Sequence, residues 1–432
     1  MPMRAFTEPV DAFFNAGLDR SDPGVQEAIS REEGRQQRQL ELLAPKNYAS
    51  MATREAFRSI VSFTTIEGYP GKRFHAGMDN LDVIENLARD RAKELFKCRY
   101  ANVQPHSGTQ ANQAVFFALL QPGDTVLSMS LDAGGHLSHG LRSNFSGRYF
   151  TVVSYGIDPQ SGLIDYDQLT ALAREHRPKL VVVGGSSYPR AVDFARIRAV
   201  CDEIGAYLLA DIAHFAGLVA AGVHPSPFPH THVVTSTTNK NLRGPRGGLI
   251  LTDDPDLGRR LDSAIFPGVQ GGPLPEFIAA KAVAFGEALR PDFREYAEAV
   301  LANARRLGAV LADRGYDIVT GGTDTPIVMV DLRRHGLTGN VAERSLENAG
   351  IPCNKNLVPG DPHKPSVTSG LRFGTSAVTT RGLRDAELRV LAGLVADVLD
   401  GLVNQPEHIA KIETEVRTQV EELAGRFPIH QH

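Results

Sequence analysis

The sequence predicts an α/β fold in which a mostly parallel central sheet is flanked by helices and followed by a smaller C-terminal α+β domain. Strand-like and helix-like patterns alternate along most of the chain, which is typical of parallel strands joined by crossover helices. Four short apolar runs end in polar residues, as buried parallel strands do. The length of 432 residues exceeds what one hydrophobic core usually supports, so we expect two domains.

The four apolar runs define the predicted centre of the sheet. They read "DTVLSM", "KLVVVGG", "AYLLAD" and "HVVTST". Each has the length of a strand and is apolar at consecutive positions, so both faces are expected to be buried. Because open α/β sheets bind ligands at the carboxyl ends of their strands, we expect the functional site at that edge.

The other elements set the predicted domain boundaries. "DNLDVIENLARDRAKELFKC" has helical spacing, and a second helical pattern from about Pro275 to Arg314 is expected to break at Pro291. "YDIVTGGTDTPIVMVDLR" then predicts two strands joined by a turn. We therefore predict an N-terminal arm at residues 1–30, a large domain at residues 31–290 and a small C-terminal domain at residues 291–432.

The composition excludes several classes of protein. Hydrophobic residues make up 42% and charged residues 22%, which is typical of a soluble globular protein. The formal net charge of -4 argues against nucleic acid or an anionic membrane as a partner. The three cysteines form no C-x-x-C pair, so we expect reduced thiols and no metal site. The first residues contain no continuous apolar segment of the signal-peptide type, and we expect a cytoplasmic protein.

Two charged residues follow neighbouring predicted strands. Asp211 ends "AYLLAD" and Lys240 follows "HVVTST". Taken singly, Asp211 also fits a helix N-cap and Lys240 a surface lysine. Together they match what a pyridoxal phosphate enzyme needs, since a lysine forms the Schiff base and a carboxylate keeps the ring nitrogen protonated.

A third feature fits a phosphate group. "PHSGTQANQAVFFALL" places Ser107, Gly108 and Thr109 at the start of a predicted helix, where free backbone N–H groups and hydroxyls bind anions. By itself this pattern fits an ordinary capped helix equally well. Its combination with Asp211 and Lys240 favours a cofactor site.

Several motifs, in the same order and over nearly the whole chain, resemble those of the serine hydroxymethyltransferase family. They read "EGYPGKRF", "NVQPHSGTQAN", "DAGGHLSHG", "YGIDPQSGLIDY", "ADIAHFAGLVAAGVHPSP", "TTNKNLRGPRGG", "FPGVQGGP" and "VTSGLRFGT". The resemblance implies a fold-type I pyridoxal phosphate enzyme with active sites at a homodimer interface, and it leaves a tetramer open. It also implies cleavage or formation of the Cα–Cβ bond of a β-hydroxy amino acid, with tetrahydrofolate as the one-carbon carrier.

The resemblance assigns cofactor roles residue by residue. Lys240 corresponds to the Schiff-base lysine and Asp211 to the partner of the pyridine nitrogen. The resemblance further implies that His136 stacks on the ring and that Ser186 and His214 contact the ring oxygen. It implies that the phosphate is held by Ser107, Gly108, Thr109 and, from the neighbouring subunit, Gly272. His139 is expected to be structural.

Substrate roles follow in the same way. Arg372 corresponds to the arginine that holds the substrate carboxylate, and Glu67 to the catalytic carboxylate beside the reacting hydroxymethyl group. Thr65 and His75 occupy substrate-site positions. The positions that correspond to the pterin site are Leu131, Gly135, Leu137 and Asn356.

The chain departs from the family pattern mainly at the substrate end. The departures are Pro45, Lys46, Thr65, Phe74, His75 and Asn239, where the family usually has serine, glutamate, tyrosine, two aromatics and histidine. Thr65 in place of a tyrosine removes bulk beside the substrate. We therefore expect 2-methylserine and D-alanine to be preferred over serine and glycine, because removal of a steric clash is enough to admit an α-methyl group.

Other functions remain open at this point. One is ordinary serine hydroxymethyl transfer, and another is a folate-independent aldolase or threonine transaldolase on the same fold. A non-catalytic paralogue would not be expected to retain Lys240, Asp211, Glu67 and Arg372 together.

Overall fold

The computed structural model describes residues 13–429, so residues 1–12 of the predicted N-terminal arm lie outside the described range. The helices of eight or more residues are α2 (Pro23–Arg38), α4 (Asp79–Phe96), α5 (Gly108–Leu119), α7 (Tyr166–His176), α8 (Phe194–Ile204), α10 (Pro255–Ser263), α11 (Pro275–Ala288), α12 (Pro291–Asp313), α13 (Gly339–Asn348), α15 (Asp385–Asn404) and α16 (Ile409–Gly425). The shorter ones are α1 (Leu18–Ser21), α3 (Met51–Phe57), α6 (Phe145–Tyr149), α9 (Ala216–Ala220) and α14 (Ser376–Arg381).

The strands of the described chain form three sheets. They are β1 (Gly68–Tyr69), β2 (Lys72–Arg73), β3 (Tyr100–Asn102), β4 (Thr125–Met129), β5 (Thr151–Tyr155), β6 (Leu180–Gly184), β7 (Tyr207–Asp211), β8 (Val233–Thr237), β9 (Gly248–Thr252), β10 (Asp317–Ile318), β11 (Ile327–Asp331), β12 (Asn354–Asn356) and β13 (Gly370–Gly374). Strands β1 and β2 form a hairpin.

The central sheet confirms the predicted α/β class. Its seven strands lie in the order β3-β9-β8-β7-β6-β4-β5. Strands β5, β4, β6, β7 and β8 pair in parallel, and β9 is antiparallel to both of its neighbours. The four predicted apolar runs are β4, β6, β7 and β8. All five residues of β6 are buried, as expected for a strand covered on both faces.

The second sheet is antiparallel and has four strands in the order β10-β11-β13-β12. The predicted pair of strands after Tyr316 is confirmed, since β10 and β11 pair with Asp317 opposite Asp331. The predicted helix break is also confirmed, because α11 ends at Ala288 and α12 begins with Pro291 at its first position. Proline is tolerated there because the first helical N–H has no partner inside the helix.

A stretch before α3 packs on the second sheet rather than the first. Leu40 and Leu42 are fully buried in the core that surrounds the second sheet. Their N–H groups donate to the carbonyls of Gly350 and Pro352. This stretch falls within the large domain predicted at residues 31–290, and the domain boundaries stay a prediction.

No helix among residues 13–429 combines the length and the apolar character that a membrane crossing requires. The longest helix, α12, has 23 residues, but charged side chains interrupt it throughout. Its apolar face packs against the core instead.

Candidate active site

Most of the predicted site residues line one cavity at the carboxyl edge of the central sheet. Asp211 is the last residue of β7 and Lys240 follows β8 by three residues. The cavity has a volume of about 490 Å³. The predicted residues that line it are Ser107, Gly108, Thr109, Leu131, Gly135, His136, Leu137, Ser186, Asp211, His214, Lys240, Asn356 and Arg372.

Asp211 is buried and held in place by three hydrogen bonds. Its Oδ2 accepts from Asn112 Nδ2 at 2.9 Å and lies 2.9 Å from His139 Nε2, and its Oδ1 accepts from the N–H of Ala213 at 3.1 Å. Burial would raise the pKa of Asp211, but the hydrogen bond and charge of His139 outweigh it and hold the pKa well below its usual range. A carboxylate therefore faces the cavity.

Asn112 and His139 hydrogen-bond this carboxylate, a role that the sequence did not predict for either residue. Asn112 lies on the buried face of α5, where it also accepts a hydrogen bond from Thr235 Oγ1 at 2.6 Å. A polar residue inside the apolar stripe of a helix is the signal that identifies it. His139 was expected to be structural, and it is fully buried against Asp211. One possible ligand atom of each of His136, His139 and Asp211 lies within 4.8 Å of the others, and His139 Nε2 is hydrogen-bonded to Asp211 Oδ2.

Lys240 lines the cavity, and a side chain from outside the central sheet hydrogen-bonds its main-chain carbonyl. Asn47 Nδ2 donates to the carbonyl of Lys240 at 2.7 Å and to the Tyr296 hydroxyl at 2.9 Å. Burial lowers the pKa of Lys240 to about 7, and the charge of Arg372 acts in the same direction against the opposing charge of Asp211. A neutral amine is the nucleophilic form of lysine, so this environment suits covalent bonding to a carbonyl compound.

Two histidines of the cavity are kept neutral. Burial lowers the pKa of His136 to about 4, and burial lowers the pKa of His214 well below its usual value. His136 is oriented by Ser138, whose N–H donates to Nδ1 at 3.2 Å. A neutral imidazole in this position can stack on an aromatic ring without the cost of a buried charge.

Two buried polar atoms at the cavity have no hydrogen-bond partner among the described residues. They are His214 Nδ1 and Thr237 Oγ1. Such atoms are costly unless a ligand completes their hydrogen bonds. Together with Lys240 and Asp211, they fit a polar aromatic aldehyde that reacts with the lysine and presents a ring nitrogen to the carboxylate.

The N-terminus of α5 opens into the same cavity. Ser107 caps this helix by accepting from the N–H of Gln110 at 3.2 Å. Gly108 follows because a side chain there would collide with Thr237, whose Cγ2 would lie 2.7 Å from an added Cβ. The free N–H groups of this turn suit a phosphate, and the helix dipole favours a negative charge there.

Arg372 is placed on β13 opposite Asn354 of β12. Its Nε donates to Asn354 Oδ1 at 3.0 Å and its Nη1 to the carbonyl of Ser186 at 2.5 Å. Burial lowers the pKa of Arg372 to about 10, so the group stays charged at neutral pH. These two contacts leave guanidinium N–H groups free to bind a carboxylate in the fork geometry typical of arginine.

The mouth of the cavity is partly apolar. Leu131 and Leu137 are 38% and 44% exposed and lie beside Gly135. Asn356 borders the same opening and donates to Ser187 Oγ at 3.3 Å. Exposed leucines at a cavity entrance suit a flat aromatic ligand.

Four predicted site residues do not line this cavity. They are Thr65, Glu67, His75 and Gly272. Thr65 and His75 are exposed, and Glu67 and Gly272 are partly buried beside each other. A Cβ added to Gly272 would lie 2.3 Å from the carbonyl of Ile66 and 3.6 Å from Glu67 Cγ. Glu67 and Gly272 therefore lie side by side, outside the lining of the cavity.

This chain is similar to known proteins named serine hydroxymethyltransferase. The family described as serine hydroxymethyltransferase matches residues 18–395. The serine hydroxymethyltransferase of Rhodospirillum centenum is 58% identical over 418 residues, which are 97% of this chain and 97% of that protein. Proteins of the same name from Rhizorhabdus wittichii and Paramagnetospirillum magneticum are each 56% identical, over 97% and 98% of this chain and 96% and 99% of their own lengths.

Proposed function

Because the chain belongs to the serine hydroxymethyltransferase family, whose members are pyridoxal phosphate-dependent transferases of fold type I, we propose that it interconverts serine and glycine with tetrahydrofolate as the one-carbon carrier. The observation that carries this proposal is the meeting of Lys240, Asp211 and Arg372 in one cavity. A nucleophilic amine, a carboxylate for a ring nitrogen and a cation for a substrate carboxylate are the three groups that this chemistry needs.

The cavity residues bind and orient the cofactor in this proposal. Bound pyridoxal phosphate supplies an electron sink for the bonding pair released at the substrate Cα. Lys240 holds it covalently, and Asp211 keeps a proton on the ring nitrogen. His136 stacks on the ring, and Ser186 and His214 contact the ring oxygen. The phosphate is held by Ser107, Gly108 and Thr109.

Arg372 and the cavity mouth orient the two substrates. The free N–H groups of Arg372 take the amino-acid carboxylate, which directs the rest of the amino acid toward Lys240. Leu131, Gly135, Leu137 and Asn356 receive the pterin ring at the opening. The exposure of Leu131 and Leu137 supports this assignment, since a cosubstrate must enter and leave while the first cofactor stays bound.

The preference for 2-methylserine that Thr65 predicts is not supported. The relatives that share 56% to 58% of their residues with this chain are named for serine, and none of the three for 2-methylserine. Thr65 is exposed and lies outside the cavity of its own chain. The names of these relatives are therefore the finding that counts against a 2-methylserine preference.

We expect the wild-type protein to use L-serine at least about tenfold more efficiently than 2-methylserine, since a site shaped for serine rejects an added methyl group by steric clash. The measurement is the ratio of kcat/KM for the two substrates at saturating tetrahydrofolate. If 2-methylserine is the better substrate, the serine assignment is wrong. Thr65→Tyr should then lower the relative efficiency with 2-methylserine by about ten- to a hundredfold.

The same assay separates the folate-independent alternatives. Serine cleavage that needs added tetrahydrofolate supports hydroxymethyl transfer. Aldehyde exchange driven by threonine without folate would instead indicate an aldolase or a transaldolase. The pterin-site residues at the cavity mouth favour the first of these outcomes.

We propose further that two copies of the chain complete each active site. Thr65, Glu67, His75 and Gly272 do not line the cavity that contains Lys240 within one chain, so in this proposal the second copy supplies them. The surface around them carries exposed apolar side chains, among them Ile60, Phe63 and Phe74 at 83%, 88% and 73% exposure. Patches of this kind mark protein interfaces.

This two-chain site predicts complementation between two inactive variants. Lys240→Ala lacks the lysine and Glu67→Gln lacks the carboxylate, but a mixed dimer contains one site with both groups. Random mixing in equal amounts makes half of the dimers mixed, so about a quarter of the wild-type activity should return. The measurement is the rate of serine cleavage after co-expression. Activity no higher than the sum of the separate variants would place Glu67 in its own chain's site.

A further inference from the structure

Lys281 is a fully buried lysine on α11 that the proposed chemistry does not use. Its side chain is among the largest buried ones in the described chain, at 1% exposure. Its Nζ donates to the carbonyls of Val103, Pro105 and Gly248 at 2.6, 3.2 and 2.9 Å. Three carbonyl acceptors match the three donors of a protonated amine. Burial lowers the pKa of Lys281 to about 7, against the opposing charge of Glu85.

These contacts hold the segment that leads into the phosphate-binding turn. Residues 103–105 connect β3 to the start of α5 and run beside β9. All three carbonyls accept hydrogen bonds from side chains. Lys281 Nζ donates to those of Val103 and Pro105, and Gln270 Nε2 donates to that of Gln104 at 3.0 Å. The position of Ser107, two residues further on, therefore depends on Lys281.

The ammonium group also lies directly behind the cavity wall. A Cβ added to the cavity-lining Gly247 would lie 2.8 Å from Lys281 Nζ. Burial, aided by the charge of Lys281, lowers the pKa of His106, the residue just before Ser107. Within the described chain, all three hydrogen bonds of Lys281 go to neutral carbonyls, and Glu85, the carboxylate whose charge acts on it, forms no hydrogen bond or ion pair with it.

We propose that Lys281 is a positioning residue for the phosphate group of the cofactor. It fixes the backbone that carries Ser107, Gly108 and Thr109, and its positive charge favours a dianionic group on the other side of Gly247. This inference rests on the proposed cofactor. A buried positive charge attracts a phosphate across Gly247 strongly, because the protein interior screens the charge less than water does.

The test compares two ligands that differ only in the phosphate. Dissociation constants for pyridoxal phosphate and for pyridoxal are measured by absorbance titration of the apoprotein, in the wild type and in Lys281→Met. We expect the variant to lose about ten- to a hundredfold in affinity for pyridoxal phosphate and less than about threefold for pyridoxal. The reason is that the substitution removes three hydrogen bonds and one positive charge, all of them beside the predicted phosphate site.

A matched control separates this role from general destabilisation. Phe285→Leu removes part of a fully buried side chain one turn further along α11, and it removes none of the hydrogen bonds to residues 103–105. It should lower the melting temperature but leave the ratio of the two dissociation constants unchanged. If Lys281→Met does not fold, Lys281→Gln replaces it, because glutamine keeps two N–H donors and removes the charge.

The outcomes distinguish the two proposals. A wild type that binds pyridoxal phosphate no better than pyridoxal would contradict the phosphate cradle and the proposed function with it. A wild type with a strong preference for the phosphate, unchanged in the folded Lys281 variant, would overturn only the part assigned to Lys281.

Discussion

Lys240→Ala is expected to abolish covalent attachment of pyridoxal phosphate and to lower the rate of serine cleavage by at least about a thousandfold, which corresponds to ~4 kcal/mol in the barrier. Lys240 shares the cavity with Asp211, and burial lowers the pKa of its amine, which favours the neutral, nucleophilic form. Borohydride reduction followed by mass spectrometry measures the attachment, because it fixes the cofactor on the lysine that holds it.

A second lysine of the cavity provides the control. Lys355 also lines it, but its Nζ pairs with Glu343 Oε2 at 2.6 Å, so that amine is already engaged by a carboxylate. Lys355→Ala should therefore retain the added mass of the cofactor. If Lys240→Ala retained that mass and Lys355→Ala lost it, the assignment of the nucleophile would have to be exchanged.

Arg372→Ala should lower kcat/KM for serine by about a hundred- to ten-thousandfold, because two charge-assisted hydrogen bonds of ~1.5 to 3 kcal/mol each would be lost. The guanidinium is held by Asn354 and the carbonyl of Ser186, so its free N–H groups have a fixed direction. Spectral titration with glycine measures the loss of amino-acid affinity directly.

Two further measurements make this result specific. Cofactor affinity should change by less than about threefold, since the predicted phosphate and ring contacts come from other residues. Arg372→Lys keeps a charge but not the planar fork, so it should recover only part of the lost amino-acid affinity. Equal glycine affinity in the wild type and Arg372→Ala would show that the carboxylate binds elsewhere.

The predicted strands illustrate how far local sequence patterns determine this protein. Runs such as "KLVVVGG" are apolar at every position that the sheet buries, and the structure places this run at the centre as β6. Since parallel strands share one carboxyl edge, the sequence also predicted that Asp211 and Lys240 lie on the same side. The predicted break at Pro291 follows from backbone chemistry alone.

The surroundings of Asp211 could not be predicted in this way. Asn112 and His139 are 99 and 72 residues away along the chain, yet both bind its Oδ2. Hydrogen bonds of this kind depend on how helices pack on the sheet, which no local periodicity specifies. The same holds for Lys281, whose three carbonyl partners lie 33 to 178 residues away.

Thr65 shows where a sequence comparison misleads about substrate. The missing tyrosine predicts space for an α-methyl group beside the substrate, but the similar proteins are named for serine. The sequence by itself determined the α/β class, the strands and the residue types at their carboxyl ends, because hydrophobic burial is encoded locally. Only the tertiary structure decided which of those residues meet, because their contacts join distant parts of the chain.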